Sequence, residues 1–269
     1  MKALLSRLLG RFPRLKSQLR QLRNQLGAAA SVSTEYVEID RSRREDESRR
    51  LADSWKQDEL PQRQRALADL QLQKYRNGAK IDVYDTFIEA IDAAQGLPAG
   101  ASLLEIGCSS GYYSEVLEIA GKDMIYTGCD YSDAFIALGR SIYPDLRLDV
   151  EDATRLSYAD ETFDVVVSGC CLLHIPDYRT AIAETARVAR SHVVFHRTPV
   201  VYGQDTRYYR KKAYGVETIE IHLSETEFME LLAEHGLSLI KTITLSDTPD
   251  PQNPSIGGAT RTYLCRKIA

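Results

Sequence analysis

Leu5, Leu8, Phe12, Leu15, Leu19, Leu22 and Leu26 recur at alternating steps of three and four, a spacing that sets one apolar stripe along a helix, with Pro13 opening a second helix after a break. From Ser31 to Ala94 the chain is polar and helix-forming. The charged run Arg41 to Arg50 reads as a solvated helix face, and Pro61 starts a helix that runs to about Tyr75 and stops at Asn77-Gly78. Ile81, Tyr84, Phe87, Ile88 and Ile91 line one face of a further helix that ends at Ala94. Beyond the linker Gly96-Leu-Pro-Ala-Gly100 the period changes to short apolar runs alternating with helical stretches. Strands are predicted near Ser102–Ile106, Met124–Asp130, Arg147–Val150, Phe163–Ser168 and His192–His196, with helices near Tyr112–Ala120, Ala134–Tyr143 and Tyr178–Ala189 between them. A helix over Glu225–His235 then precedes two β runs, Leu237–Leu245 and Thr260–Lys267, which predict a hairpin because no helix separates them. The pattern is that of an α/β protein with a parallel sheet. It divides the chain into a segment 1–30, a helical extension 31–95 and a main domain 96–269.

With 269 residues, 43% of them hydrophobic and 27% charged, the chain has the apolar mass for a core. The longest apolar stretch, Val165 to Ile175, is broken by Ser168, Gly169 and His174 and falls short of the ~20 residues of a membrane-spanning helix. The five cysteines fit neither a CxxC nor a Cys/His spacing, so no metal site is expected and a reducing, cytoplasmic setting is. The net charge of -4 hides an asymmetry: residues 1–30 carry seven basic side chains and no acid, which leaves the remainder strongly acidic. An acidic body offers no electrostatic footprint for nucleic acid. In the basic segment, Arg11, Lys16 and Arg23 flank the stripe and disfavour its pairing with a copy of itself. An anionic membrane surface, an acidic protein partner, packing on the chain's own body and a cleaved organelle-targeting peptide are the readings left open for it, the last disfavoured by its few serines.

Leu103-Leu-Glu-Ile-Gly-Cys-Ser-Ser-Gly-Tyr112 is a strand running into a glycine-rich turn that opens a helix, the place where open parallel sheets bind ligands. A dinucleotide fingerprint would need glycine where Ser109 and Tyr112 stand, which argues against a nicotinamide or flavin enzyme. The next strand ends at Asp130, about 25 residues after Glu105, where a carboxylate can accept from both hydroxyls of a ribose. Through LLEIGCSSG, YTGCDYS, EDATRLSYADETFDVVVSG and CCLLHIPDYRTAIAETARVAR, in that order, the chain resembles the class I S-adenosylmethionine-dependent methyltransferases that act on small molecules. The resemblance covers roughly residues 96–200, and the hairpin at 237–267 suits the last strands of that fold.

That resemblance implies a Rossmann-like, doubly wound and mainly parallel seven-stranded sheet with an antiparallel last strand, preceded by N-terminal helices, with S-adenosyl-L-methionine as cofactor. Glu105, Gly107, Cys108, Ser109 and Gly111 would form the loop under its methionine part. Asp130 would hold the ribose, with Tyr131 against the adenine. Asp152 would accept from the adenine amino group while Ala153 offers its backbone, and Ser168, Gly169 and Cys170 would line the methionine end. Ser109 stands where the family usually has glycine, and Leu173 where it often has glutamate.

Methyl transfer needs alignment above all, and a base only when the acceptor still holds its proton. His174 and His196 are the candidate bases, His196 ahead because its strand tip opens into the Tyr- and cation-rich insertion Arg197 to Tyr214. Within that insertion Arg197, Tyr202, Arg207, Tyr208 and Tyr214 are candidates for acceptor binding. Trp55 and Tyr75 lie where relatives carry a lid. The expected activity is methyl transfer to a hydroxyl oxygen of a small metabolite or glycan; the alternative is a binding or scaffold protein that keeps the fold without transfer.

Overall fold

The computed structural model describes residues 33–268, so the basic stripe of residues 1–30 lies outside the described residues. The described residues open with strand β1 (Ser33–Glu38), helix α1 (Arg44–Arg50), α2 (Leu60–Arg76) and α3 (Asp82–Ala93). Alternating elements follow: β2 (Ala101–Ile106), α4 (Tyr113–Ile119), β3 (Met124–Asp130), α5 (Asp133–Ile142), β4 (Arg147–Val150), β5 (Phe163–Gly169) and α6 (Tyr178–Val188). The last part is β6 (Ala189–Tyr202), β7 (Arg207–Ala213), β8 (Val216–Ser224), α7 (Glu225–Glu234), β9 (Leu237–Pro249) and β10 (Gly257–Lys267). Pro61 sits in the first turn of α2, where a missing N–H costs nothing, and Gly78 follows its end with a φ of +79°.

The seven expected strands form one sheet in the order β4-β3-β2-β5-β6-β10-β9, with β4 to β6 parallel and β10 antiparallel to β6. Side-chain alternation distributes the core over both faces. Leu103, Val165, Val167 and Val194 point to a layer built by Tyr84, Phe87, Val116 and Ile136 of α3 to α5. Leu104, Ile106, Val166, Val193 and Phe195 point to the opposite layer, where Ile182 of α6 and Phe228 of α7 cover them. All nine of these strand side chains are buried, which matches their near-continuous apolar runs.

Two features depart from the sequence expectation. The insertion after β6 is a pair of antiparallel strands rather than a loop: β7 and β8 turn at Tyr214-Gly215 and run in register from Arg207↔His222 to Ala213↔Val216. The extension 31–95 is not all helix, because β1 adds to β7 through Ser33↔Ala213 and Glu38↔Tyr209. These three strands join the main sheet where the second half of β6 pairs with β8, at Val200↔Leu223 and Val201↔Ser224, after its first half has paired with β5. Among the described residues no helix is long and apolar enough to cross a membrane.

Candidate functional site

A cavity of about 770 Å³ opens at the carboxyl ends of β2, β3, β5 and β6, under α2 and the Trp55 segment and beside the β7–β8 hairpin. Non-glycine residues with left-handed backbone concentrate here: Ser109, Cys170, Arg197 and Tyr214 have φ of +51° to +58° and all line the cavity. Such conformations persist only where the surroundings over-determine them, and they gather at ligand sites.

One end of the cavity is acidic. The loop after β2 is fastened to β3 by Gly107 and Cys108, whose N–H groups both donate to the Cys129 carbonyl, at 2.8 and 2.9 Å. Asp130 ends β3 beside it. Its Oδ2 accepts from the Ser109 N–H at 2.9 Å and its Oδ1 from the Ser132 N–H at 3.0 Å, which leaves lone pairs on both oxygens for a ligand. Burial pushes the Asp130 carboxyl up to about 6 against the pull of these backbone donors. Glu105, buried on the same wall, receives the Tyr126 hydroxyl and is pushed up to about 8 by desolvation. Neither carboxyl has a cationic partner among the described residues. Asp152 uses Oδ1 for the backbone and hydroxyl of Thr154, at 2.8 and 2.7 Å, and lines the cavity next to Ala153. The hydroxyl of Tyr131 accepts from the Trp55 N–H at 3.1 Å and donates to the Ala52 carbonyl at 3.2 Å, so the wall is joined to the segment above it.

The S-adenosylmethionine residues expected from sequence therefore gather here, with two exceptions. Ser168 is buried beneath the wall, its Oγ 3.4 Å from Cys171 Sγ, and the wall is formed instead by Gly169, Cys170 and Cys171. Gly111 is not on the cavity wall either; its left-handed turn lets the loop pass Leu148, whose side chain would lie 3.1 Å from any Cβ placed there. The chemistry of the set fits the cofactor: two unpaired buried carboxyls suit a ligand that brings positive charge and ribose hydroxyls.

The other end is aromatic. His174, in a short helical turn after β5, lines the cavity; its Nδ1–H donates to the Ile219 carbonyl at 2.6 Å and its ring lies 4.6 Å from that of Trp55. Desolvation, helped by the Lys211 charge, holds His174 down at about 3, so the ring is neutral and its Nε2 carries a lone pair. Arg197 and Tyr214 also line this end.

The structure reverses the expected order of the two histidines. His196 is absent from the cavity wall: it is 1% exposed, held between the Tyr113 hydroxyl on Nε2 and the Thr262 hydroxyl on Nδ1, both at 3.0 Å, with Phe87 packed beside it. Both ring nitrogens are thus occupied, which removes the geometry a base needs. Three of the expected acceptor residues also fall elsewhere than on the cavity wall. Tyr202 donates to Asp247, Arg207 pairs with Glu38, and Tyr208 lies under the guanidinium of Arg44. In their place the cavity gains Tyr36, Gln64, Lys211 and Glu220. Glu220 is bonded by Lys211, by His222 at 2.8 Å and by Tyr36 at 3.3 Å, and these partners keep it ionised, down at about 2, despite its burial. The sequence signal for this hairpin is one-sided: Gly215 precedes the alternating run Val216–Ser224, while Arg207–Ala213 does not alternate. Of the two expected lid residues, Trp55 is on the wall, while Tyr75 packs on Tyr84.

Residues 104–196 match the family model of a methyltransferase domain. The chain is 32% identical over 98 residues to the demethylmenaquinone methyltransferase of Bacillus licheniformis, a match that covers 35% of this chain and 42% of that protein. It is 34% identical over 98 residues to the corresponding enzyme of Shouchella clausii, covering 34% and 42%. The chain thus spans less than half the length of these relatives. Among solved structures it is similar to an S-adenosylmethionine-dependent methyltransferase from Clostridium acetobutylicum, with a TM-score of 0.53 and 13% identity over 76% of this chain and 99% of that one. It is also similar to the MccD protein, with a TM-score of 0.51 and 15% identity over 68% and 96%. These likenesses establish the fold.

Proposed function

We propose that this chain, whose fold and central domain are those of a class I S-adenosylmethionine-dependent methyltransferase, transfers a methyl group to a hydroxyl oxygen of a small acceptor. The cofactor supplies an electrophilic methyl on a sulfonium, and Glu105, Asp130, Tyr131, Asp152 and Ala153 are the residues that would hold it. What the protein adds is position and a proton acceptor. The observation that carries the oxygen reading is the free Nε2 of His174: its Nδ1–H is committed to Ile219, so the ring is fixed in orientation and tautomer with its lone pair available at the cavity wall. The acceptor's O–H would donate to this nitrogen, the proton would pass to it as the oxygen forms its bond to carbon, and water would carry the proton away. With its conjugate acid held so low, His174 is a weak base, which places its contribution near the ~10²-fold end of general-base catalysis. The relatives named above act on demethylmenaquinone, but the elements that enclose the acceptor end here, β1, the Trp55 segment and the β7–β8 hairpin, lie outside the matched residues 104–196.

The test combines two measurements on the full chain. Calorimetry with S-adenosylhomocysteine should give saturable binding at one site, and radiolabelled methyl transfer to a panel of alcohols, phenols and sugars should label at least one hydroxyl. Methylation confined to carbon or nitrogen acceptors would overturn the oxygen assignment while leaving the cofactor assignment in place.

A further inference from the structure

Arg197 occupies the joint of β6, between the last residue that pairs with β5, His196, and the first that pairs with β8, Val200. Its backbone is left-handed, with φ at +56°, and its N–H donates to the Thr262 hydroxyl at 3.2 Å, so the strand is held in an unfavourable conformation at this one residue. The side chain lines the cavity. Its guanidinium makes no hydrogen bond or ion pair among the described residues, although it carries five donors. The other cation on this wall is already balanced: Lys211 is bound to Glu220. Around Arg197 stand Cys170 and the tyrosines Tyr112, Tyr113 and Tyr214, and none of them is a carboxylate; burial raises Tyr112 and Tyr113 well above the ordinary phenol range. The acceptor end therefore holds a guanidinium with no carboxylate partner among the described residues.

Trp55, Tyr112, Leu173, Ile175, Pro199 and Tyr214 give this end flat and apolar surface. Of the polar side chains on the wall, Tyr36, Lys211 and Glu220 are bound among themselves and Gln64 is bound to Ser109, which suits a planar acceptor. We propose that the acceptor is a planar hydroxylated acid and that Arg197 binds its carboxylate through the guanidinium fork, presenting the hydroxyl to the methyl group. This rests on the methyltransferase reading above and narrows its acceptor class. Bidentate recognition of a carboxylate is what a guanidinium does better than an ammonium, which a lysine at this position could not reproduce. A second carboxylate could claim the same residue, that of the cofactor's own methionine part, and the experiment separates the two.

The probes are 4-hydroxybenzoate and 4-hydroxybenzamide, equal in shape and different in charge, titrated by NMR into the full chain saturated with S-adenosylhomocysteine. The acid should bind about 10-fold or more tightly than the amide. Arg197→Gln should bring the two within about twofold, and Arg197→Lys should keep part of the preference. S-adenosylhomocysteine and 5′-methylthioadenosine, which lacks the carboxylate, should each bind Arg197→Gln as they bind the native chain. Equal binding of acid and amide by the native chain, binding of neither, or a preference that survives in Arg197→Gln would each overturn the assignment. So would a selective loss of S-adenosylhomocysteine affinity in Arg197→Gln with methylthioadenosine unaffected, since that would give the residue to the cofactor. The native-chain comparison stands even if a variant fails to fold. Failure of S-adenosylhomocysteine to bind the native chain would instead remove the methyltransferase reading itself.

Discussion

The Nδ1 of His174 and the carbonyl oxygen of Ile219 lie 2.6 Å apart, across the junction between the turn after β5 and strand β8. A carbonyl can only accept, so this one contact fixes which ring nitrogen carries the hydrogen. It also explains why the two histidines differ in use, since His196 spends both nitrogens on Tyr113 and Thr262.

His174→Ala should lower kcat by roughly 10²-fold with S-adenosylhomocysteine affinity retained. His196→Ala should act on the fold, because it strands two buried hydroxyls; the expected cost is about 1–3 kcal/mol of stability. Rate measurements with an acceptor and thermal unfolding of both variants would check this. A loss of turnover in His196→Ala without a loss of stability would return the base to His196.

Burial in the free protein keeps Glu105 protonated up to a pH of about 8, and a positively charged ligand favours its ionised form. Below that pH, binding must release a proton, so cofactor affinity should rise with pH up to about 8 and level off above it. Asp130, at about 6, adds a second and steeper fall beneath pH 6. In the loaded enzyme kcat should stay flat between pH 5 and 7, because His174 is neutral throughout that range. Calorimetry at pH 7 in two buffers of different ionisation enthalpy should detect close to one proton released per cofactor, and zero proton release would contradict the account.

On the proposed cofactor reading Asp130→Ala removes an acceptor of the ribose hydroxyls and should weaken S-adenosylhomocysteine binding about 5- to 150-fold. Because the Ser109 and Ser132 N–H groups also lose their partner, Asp130→Asn serves as the control that keeps an oxygen in place. Unchanged affinity in both variants would move the ribose elsewhere.

Ser109 holds a left-handed backbone that glycine would adopt freely, and its hydroxyl donates to the side-chain oxygen of Gln64 on α2. Ser109→Gly relieves the strain and cuts the tether, whereas Ser109→Ala cuts the tether and keeps the strain. The alanine variant should be less stable than the glycine variant by about 1 kcal/mol. Both should exchange the amides of α2 faster in deuterium-exchange measurements, and unchanged protection of α2 would show that the tether carries no load.

The strands of the main sheet were readable because Leu103, Leu104, Val165 and Val166 are buried on both faces and leave unbroken apolar runs. The acid-tipped β3 and the turn after β2 were readable for a related reason: a ligand that approaches backbone restricts which residues can stand there. Strands β7 and β8 were hidden by their composition. RYYRKKA reads as a solvated flap, yet Lys211 is buried because Glu220, nine residues on, turns back across the hairpin to neutralise it. No local pattern announces a charge pair whose halves meet only after a turn. His196 departs from its expected role for the opposite reason. The sequence places it at a strand tip, but only the fold brings Tyr113 and Thr262 to its two nitrogens.

Strand β6 touches β5 along one half and β8 along the other, and the backbone bonding to β8 involves only Val200 and Val201. The backbone seam is narrow, but Ile219, Ile221 and Leu223 of β8 are buried in the same core as Val193 and Phe195 of β6. What can be exchanged is therefore the far part of the hairpin: residues 207–217 could take another sequence without rewriting that core or the wall that carries Glu105 and Asp130. Arg197 stands on the donor side of the seam and would stay behind in such a graft, so a chimera should inherit a new acceptor shape and an old requirement for an acid.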